Sequence, residues 1–519
     1  MRNWRTFYEV LKYPIGILFF AVTLIGIGNI FINPAFPVVY TFNNEYIQVF
    51  SELIIKFGQF IVLNFPLFVL IRLTTRKSGS ATTIISAISG YVAFLVATMF
   101  FSSGNLPSTA YYSTLGVSYT STTLAAFKNT VRYPLQTGMI GAAIIAFLTL
   151  WSFNKSRRRS EFGFFSFISK ESSCTIRTVF FSLLAGIGVG YAWTFVVGGI
   201  QAIIRFISVD TTNPVNLTLY GIFDRVLSDL NLGTMIRQPF WYSANGGSWI
   251  NSAGMALTGD VSIWTEQLSA NALTGMAGRF ITPYYVLNLF AVPAMVLAMY
   301  FMNTDKMERA KTRLFYILAA LVSVFTGTLL PLEILLLLLC PLLYIFHVGY
   351  TGLLFGLFQA LHVYLGYNST EGLMTTAMPG TLLELINYLR YPSLTKSIVI
   401  VLIVGLVSAV IYFLMTRLYF KKLSLDLLKT GRKETMINEL IEAIGGLDNI
   451  KMVHSSARAL TISSYDINKI DMLKLRRLGA YRLYETRAGL TICFGASATM
   501  INDEIRKRMS ESVRSINVG

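Results

Sequence analysis

The chain has 519 residues, 54% of them hydrophobic and only 13% charged, and its mean hydropathy is +0.57. A soluble protein carries about a quarter charged residues, so a water-soluble globular protein is excluded and most of the chain meets lipid. The net charge of +17 does not point to nucleic acid, because the basic residues flank apolar stretches: Arg2, Arg5 and Lys12; Arg72, Arg76 and Lys77; Lys155 to Arg159; Lys306 to Arg313; Lys421 and Lys422.

That placement is the positive-inside pattern, reinforced by attraction to anionic headgroups. It predicts a multi-pass protein of the cell (plasma) membrane with the N-terminus, the 72–77 and 154–160 loops and everything after Lys421 in the cytoplasm. A crossing needs about 20 mostly apolar residues. The runs 14–34, 50–72, 83–101, 137–153, 178–205, 283–302, 312–330, 333–350 and 397–419 qualify. Shorter runs near 216–228 and 351–366 are further spans or re-entrant pieces, which gives about ten crossings. The first run is too long for a signal-peptide core and lacks a small-residue cleavage site, so it reads as a membrane helix.

Two polar interruptions, 103–134 and 206–282, break the membrane part. The second mixes Gly246, Gly247, Trp249, Gly254, Gly259, Trp264, Gly275 and Gly278 with the cluster Arg237-Gln-Pro-Phe-Trp-Tyr242. Irregular backbone at membrane depth survives only where protein or water covers it, and such segments line solute paths. Aromatic faces stack on the C–H face of a pyranose while amides and charges serve its hydroxyls. An ordinary extracytoplasmic loop is the alternative. Cys174, Cys340 and Cys493 show no metal, redox or disulfide spacing; no metal and no cofactor is expected.

Composition divides the chain into a membrane domain, 1–420, a polar linker, 421–434, and a cytosolic domain, 435–519. Within the last, 435–444 reads as a helix stopped by Gly445 and Gly446, and 450–456 and 458–464 as strands. Asp466 is placed to cap a helix running through 474–478 that Gly479 ends. Residues 481–485 and 490–494 form a hairpin around 487–489, and 499–509 a last helix. The predicted fold is a polytopic α-helical membrane protein, about ten transmembrane helices plus re-entrant segments, with a small C-terminal cytosolic α/β domain built on an antiparallel sheet.

Several segments then carry a resemblance. Ile15 to Ile30, ending Gly26-Ile-Gly28-Asn29, Asn64-Phe-Pro66-Leu-Phe68, Gly90-Tyr91, Gly163-Phe-Phe165, Gly199-Ile-Gln201 and Gly278-Arg-Phe-Ile-Thr-Pro-Tyr-Tyr-Val-Leu-Asn-Leu-Phe290-Ala-Val-Pro293 fall in order and at the right spacing. Together they resemble the glucose-family sugar permeases of the phosphoenolpyruvate-dependent phosphotransferase system, with the membrane permease (IIC) and phosphocarrier (IIB) subunits fused, nearly end to end. The resemblance implies a bacterial protein and a homodimer, with a transport half that shifts as a rigid body. It also implies phosphorylation of the sugar by a IIB phosphocysteine.

That chemistry needs three parts, and each departs here from the family pattern. The family's V-D-x-C-A-T-R-L-R reads Val453-His454-Ser455-Ser456-Ala457-Arg458-Ala459-Leu460-Thr461 on the register set by Gly445-Gly446 and Asp466, so Ser456 stands at the cysteine position. A thiolate is nucleophilic near neutral pH and an unactivated hydroxyl is not. Ala459 and Thr461 replace two arginines, and His454, two residues before Ser456, is either an activating base or an exposed strand histidine. The family's histidine pair becomes Gly233 and Thr234 within GIFDRVLSDLNLGTMIRQPFW, and the first acid of T-G-V-T-E-P-I-E becomes Leu330, with Glu333 retained. No catalytic residue is therefore expected.

Three readings stay open. The first is a permease that binds or passes a sugar or glycoside without phosphorylating it, using Glu333, Arg237, Gln238, Trp241 and Asn288. An ionisable residue at membrane depth is a functional candidate by default, although Glu333 also suits a hydrogen bond to re-entrant backbone. The second is a membrane sugar sensor whose IIB-like module docks a cytosolic regulatory or phosphocarrier protein. Lys469, Lys474, Arg476, Arg477 and Arg482 would supply its basic face, unless they form an ordinary solvated one. The third is an active phosphotransferase using Ser456 or a subunit in trans.

Overall fold

The computed structural model describes residues 2–32, 44–102, 106–122, 129–157, 169–273, 275, 277–302, 306–367, 379–423, 433–456, 458–486 and 489–516. Among them are eight helices long and apolar enough to cross a membrane, and two shorter apolar helices, Thr312–Thr326 and Leu330–Leu339. The protein is a polytopic α-helical membrane protein with a small α/β domain at its C-terminal end.

In chain order the membrane part contains α1 Arg2–Ile32, α2 Glu45–Leu63, α3 Phe65–Ser78, α4 Thr82–Phe101, α5 Gly138–Arg157, α6 Lys170–Val209, α7 Pro214–Asp229, α8 Thr234–Tyr242, α9 Asp260–Ser269, α10 Thr282–Phe301, α11 Lys306–Thr326, α12 Leu330–Leu339, α13 Pro341–Ala360, α14 Leu382–Tyr388 and α15 Thr395–Leu418. The apolar run 50–72 is not one span. It breaks at Asn64, whose amide donates to the Phe60 carbonyl at 2.9 Å and accepts from the Leu115 N–H at 2.9 Å. Pro66 then opens α3, where its missing N–H costs nothing. The runs 333–350 and 351–366 are also divided differently. The break falls at Cys340–Pro341, and α13 continues unbroken to Ala360. The run 178–205 belongs to α6, a helix of 40 residues, about 60 Å long and twice the thickness of a hydrocarbon core.

The interruption at 103–134 includes a two-stranded hairpin, β1 Tyr119–Thr122 and β2 Asn129–Arg132. The interruption at 206–282 is mostly helical. It holds α7, α8 and α9, and its irregular backbone is confined to turns and to the hairpin of β3 Ser248–Ile250 and β4 Ala256–Thr258. α7 lies closely against α13 because small residues face each other. A Cβ on Gly352 would sit 2.7 Å from the Thr218 carbonyl oxygen, and one on Gly221 would sit 2.4 Å from the Phe355 ring. Small residues are what allow helix backbones to approach in lipid, where no hydrophobic drive favours contact. A π-turn at Leu287–Ala291 interrupts α10 just before Pro293, which has no N–H to give to the regular ladder.

The C-terminal domain runs α16 Lys433–Ala443, β5 Ile450–Ser455, β6 Ala459–Ser464, α17 Met472–Arg477, β7 Arg482–Thr486, β8 Gly489–Cys493 and α18 Ala498–Ile516. Its sheet is antiparallel with order β5-β6-β8-β7. Leu440, Val453, Leu460, Ile462, Leu490, Ile492, Ile501 and Ile505 form its core. Asp466 caps only the single 3₁₀ turn Ile467–Lys469, and Asp471 caps α17 instead, accepting from the Lys474 N–H at 2.9 Å. Most of the linker 421–434 and the hairpin turn at 487–488 lie outside the described residues.

Candidate functional site

α7 is a short apolar helix that nonetheless carries Asp224, Arg225 and Asp229, all buried. Charges are costly at membrane depth unless paired, and here they meet partners from four other helices. Arg225 donates twice to Asp224 Oδ2, at 2.6 and 3.0 Å, and once to Glu333 Oε1 on α12, at 3.1 Å. Arg237, from α8, reaches the same aspartate, with Nε 2.5 Å from Oδ1, and donates to Ser228 Oγ at 2.7 Å. The Tyr284 hydroxyl of α10 donates to Asp224 Oδ2 at 2.6 Å, and the Arg225 guanidinium lies over the Tyr284 ring at 4.9 Å.

On the other side of Arg225, His347 of α13 places Nε2 2.9 Å from Glu333 Oε1 and Nδ1 2.9 Å from the Tyr412 hydroxyl of α15. Asp229 accepts from the Tyr344 hydroxyl at 2.6 Å through Oδ2, while its buried Oδ1 has no donor among the described residues. The close α7–α13 packing brings these groups together, since it lays Arg225 beside the chain that carries His347. Spacing in the sequence does not reveal the set; three charges inside an apolar helix and a histidine inside an apolar run were the available signals.

Of the residues predicted to contact solute, Glu333 and Arg237 belong to this cluster. Trp241 borders it: the Arg237 guanidinium lies 5.6 Å from its ring, and its Nε1 donates to the Tyr220 hydroxyl at 2.9 Å. Gln238 is exposed and faces away. Asn288 sits in the π-turn of α10 and donates to the carbonyls of Gly327 and Pro379, at 3.2 and 2.9 Å, so it braces the turn before α12. α8 also separates the cluster from a cavity of about 340 Å³ lined in part by Gln201, Arg205, Met235, Pro239, Ser243 and Asn245. Arg237 and Trp241 face one side of this single helix and Met235 and Pro239 the other.

Gly233 precedes α8, and a Cβ there would lie 2.5 Å from Ser228 Oγ. Thr234 donates to the Gln136 side chain at 2.7 Å. Leu330 packs on the apolar face formed by Leu11, Ile15, Phe65 and Ile334. In the C-terminal domain Ser456 closes the β5–β6 turn: its N–H donates to the Ala459 carbonyl at 2.8 Å and its Oγ accepts from the Ala459 N–H at 3.1 Å. The His454 ring contacts Met452 Sδ at 2.9 Å and Arg506 at 3.3 Å.

Residues 9–352 match the family described as Phosphotransferase system, EIIC. The chain belongs to the phosphotransferase-system EIIC family. It is 28% identical to the PTS system glucoside-specific EIICBA component of Staphylococcus carnosus (strain TM300) over 98% of this chain and 73% of that one. The same organism's PTS system glucose-specific EIICBA component is also 28% identical, over 99% and 75% of the two chains. The solved structure of the transporter ChbC, the IIC component from the N,N'-diacetylchitobiose-specific phosphotransferase system, covers 80% of this chain and 95% of its own at 11% identity and a TM-score of 0.30. For an EIIC protein, membrane context and a sugar cargo follow, and the buried cluster on α7, α8, α10, α12, α13 and α15 is the polar interior of its membrane domain.

Proposed function

We propose that this EIIC protein binds and passes a sugar or glycoside, of the class named for its glucoside- and glucose-specific relatives, without phosphorylating it. One observation carries the reading. The place where the family resemblance expects a histidine is Gly233, and Ser228 fills the space a side chain there would occupy, itself held by Arg237. The polar interior is instead an ion-paired set, Asp224, Arg225, Arg237 and Glu333, with His347 of α13 bonded to Glu333 rather than standing at the family position. General base catalysis is worth about 10²–10⁴ in rate, and its loss compounds with that of the nucleophile.

The C-terminal domain, 435–519, is read as a IIB-like module joined by the 421–434 linker to a IIC-like domain, 1–420. Ser456 takes the phosphocysteine position, and its hydroxyl is engaged by the Ala459 N–H in a turn rather than by a base. Arg237, Glu333 and Trp241 are the proposed solute contacts, reached from the cavity beside α8 when that helix shifts. The cytoplasmic position of both termini follows from the basic flanks, and a homodimer from the family resemblance.

Uptake of radiolabelled methyl glucoside into proteoliposomes holding the purified full chain, with no phosphoryl donor, tests this. Equilibration of the label as free sugar is expected. Conversion to a sugar phosphate when soluble phosphocarrier proteins and phosphoenolpyruvate are added, lost in Ser456→Ala, overturns it. Saturable binding without flux would assign the module a sensing role instead.

A further inference from the structure

Basic residues beside apolar spans orient the chain, and that role needs no particular geometry. Three of them are nonetheless gathered at one cavity. It has a volume of about 680 Å³ and lies between α1 and α3, with Lys12, Arg72 and Arg76 among its lining residues and no carboxylate. Arg72 and Arg76 stand one turn apart near the C-terminal end of α3. The Arg72 guanidinium lies 5.3 Å from the centre of the Tyr13 ring, and its Nε is buried with no acceptor among the described residues. Among those residues none of the three cations meets a carboxylate, since the ion pairs lie elsewhere. A fourth cation, Arg482 at the start of β7, lines the same cavity and already donates to the Tyr484 hydroxyl at 2.9 Å.

The wall of the cavity has a different chemistry. Gly16, Ile17 and Phe20 follow Lys12 and Tyr13 along α1 and reach about 12 Å from Lys12 along the helix axis. They belong to the apolar span Leu11–Ile32. Tyr13 and Phe20 are 63% and 55% exposed, and a Cβ on Gly16 would meet nothing within 4 Å, so the wall is open along its length. On the neighbouring face of α1, Leu11, Ile15 and Leu18 are buried in one core with Phe65 and Val69 of α3 and Ile334 of α12.

We propose that this cavity binds one anionic phospholipid, its phosphate held by Lys12, Arg72 and Arg76 and an acyl chain laid along Gly16, Ile17 and Phe20. Arginine suits a phosphate because its planar fork offers parallel N–H donors, and the Arg72 Nε is one such donor without an acceptor. Basic pockets between membrane helices on the cytoplasmic side take anionic headgroups, and the basic flanks assign these residues to that side. An acidic soluble protein would answer the cations but not the apolar wall, which lies within the span. A bound lipid joins the ends of α1 and α3 and so holds α1 against α12, the helix that carries Glu333.

The test is thermal unfolding of the purified full chain in neutral detergent with graded dioleoylphosphatidylglycerol. A saturable rise in melting temperature is expected, absent with dioleoylphosphatidylcholine and with glycerol 3-phosphate. Half-saturation should need about fivefold more lipid in Arg72→Gln, and likewise in Arg76→Gln, the share of one cation near an anionic headgroup. Arg76 is exposed, so its variant keeps the test open if Arg72→Gln does not fold. Lys77→Gln removes the same charge from α3 outside the cavity and should leave half-saturation unchanged. Gly16→Leu keeps every charge, suits a helix better than glycine and fills the wall, so it should weaken the lipid effect without lowering the melting temperature in detergent alone. An equal loss in Lys77→Gln would reduce the effect to general charge attraction, and equal protection by glycerol 3-phosphate would leave the acyl chain no part in it; either overturns the proposal. Protection by polyglutamate matching that by the lipid would assign the cations to an acidic protein and overturns it as well.

Discussion

Arg225 Nη1 on α7 donates to Glu333 Oε1 on α12 across 3.1 Å, joining residues 108 positions apart, and both side chains are almost completely buried. Removing one member of such a pair leaves an uncompensated charge in a medium that cannot solvate it. Arg225→Ala should destabilise the membrane domain by about 3–5 kcal/mol. The double variant Arg225→Ala with Glu333→Gln should recover part of that loss, because the stranded carboxylate is gone. Thermal unfolding in detergent, compared across both singles and the double, measures the coupling. Full additivity would mean that the pair does not interact.

The α7–α13 contact is what brings Asp224 and Arg225 to Glu333 and His347, and it tolerates no added bulk. A Cβ at Gly352 meets Ile222 at 2.6 Å and the Thr218 backbone at 2.7 Å. Gly352→Val should therefore cost about 1–3 kcal/mol by overpacking and reduce sugar flux. Gly349→Ala is the control on the same helix, since a Cβ there meets nothing within 4 Å. A Gly352→Val protein with unchanged melting temperature would show that the helices separate freely.

Much of this architecture was legible in the sequence, for a physical reason. Lipid demands long apolar runs, so α4, α5 and α15 were found nearly at their true ends by hydropathy. The same signal cannot see a helix break inside an apolar run. Asn64 and Pro66 divided one predicted span, and Cys340–Pro341 moved another, because the break is made by a missing N–H and a capping amide rather than by polarity. The C-terminal strands were found by period and turn residues, yet Asp471 and not Asp466 caps α17, since both aspartates suit the role and only the fold chooses. At the site, Glu333 and Arg237 stood out as ionisable residues beside apolar segments. Their partners Asp224, Asp229, Tyr344 and His347 did not, because pairing between α7 and α13 is set by glycine contacts that carry no charge signal. Gln238 is an amide of the kind that serves sugar hydroxyls, but on α8 it is exposed while Arg237 and Trp241 turn to the cluster.

The Gly233 position gives a direct prediction about the family chemistry. Restoring a histidine by Gly233→His would push against Ser228 Oγ, 2.5 Å away, and against its Cα, 3.1 Å away. Ser228 has little freedom to yield, since its hydroxyl donates to the Asp224 carbonyl at 2.6 Å while accepting from Arg237. Gly233→His should lower thermal stability by about 1–3 kcal/mol. Combined with Ser456→Cys and Leu330→Glu, it should still give no sugar phosphate in a coupled assay with soluble phosphocarrier proteins. Product formation by the triple variant would show that the ion-paired interior is compatible with phosphoryl transfer after all.

The C-terminal domain offers a test independent of transport. Asn449 is buried just before β5, and its side chain joins three backbone segments. Its amide donates to the carbonyls of Ile444 and Asp466, at 2.7 and 2.9 Å, and its carbonyl oxygen accepts from the Asp466 N–H at 2.8 Å. These bonds tie the end of α16 to the turn after β6, where the left-handed Gly445 and Gly446 leave the helix carbonyls in need of donors. Asn449→Ala strands those groups, at about 1–3 kcal/mol for each one left unpaired and buried. Asn449→Asp keeps the acceptor and loses both donors. Limited proteolysis of the full chain should therefore release the C-terminal domain fastest in Asn449→Ala, at an intermediate rate in Asn449→Asp and slowest in the wild type, with sugar flux measured alongside. Unchanged flux with a cleaved domain would place transport wholly in the membrane part, whereas flux lost in step with cleavage would tie the module to the transport cycle.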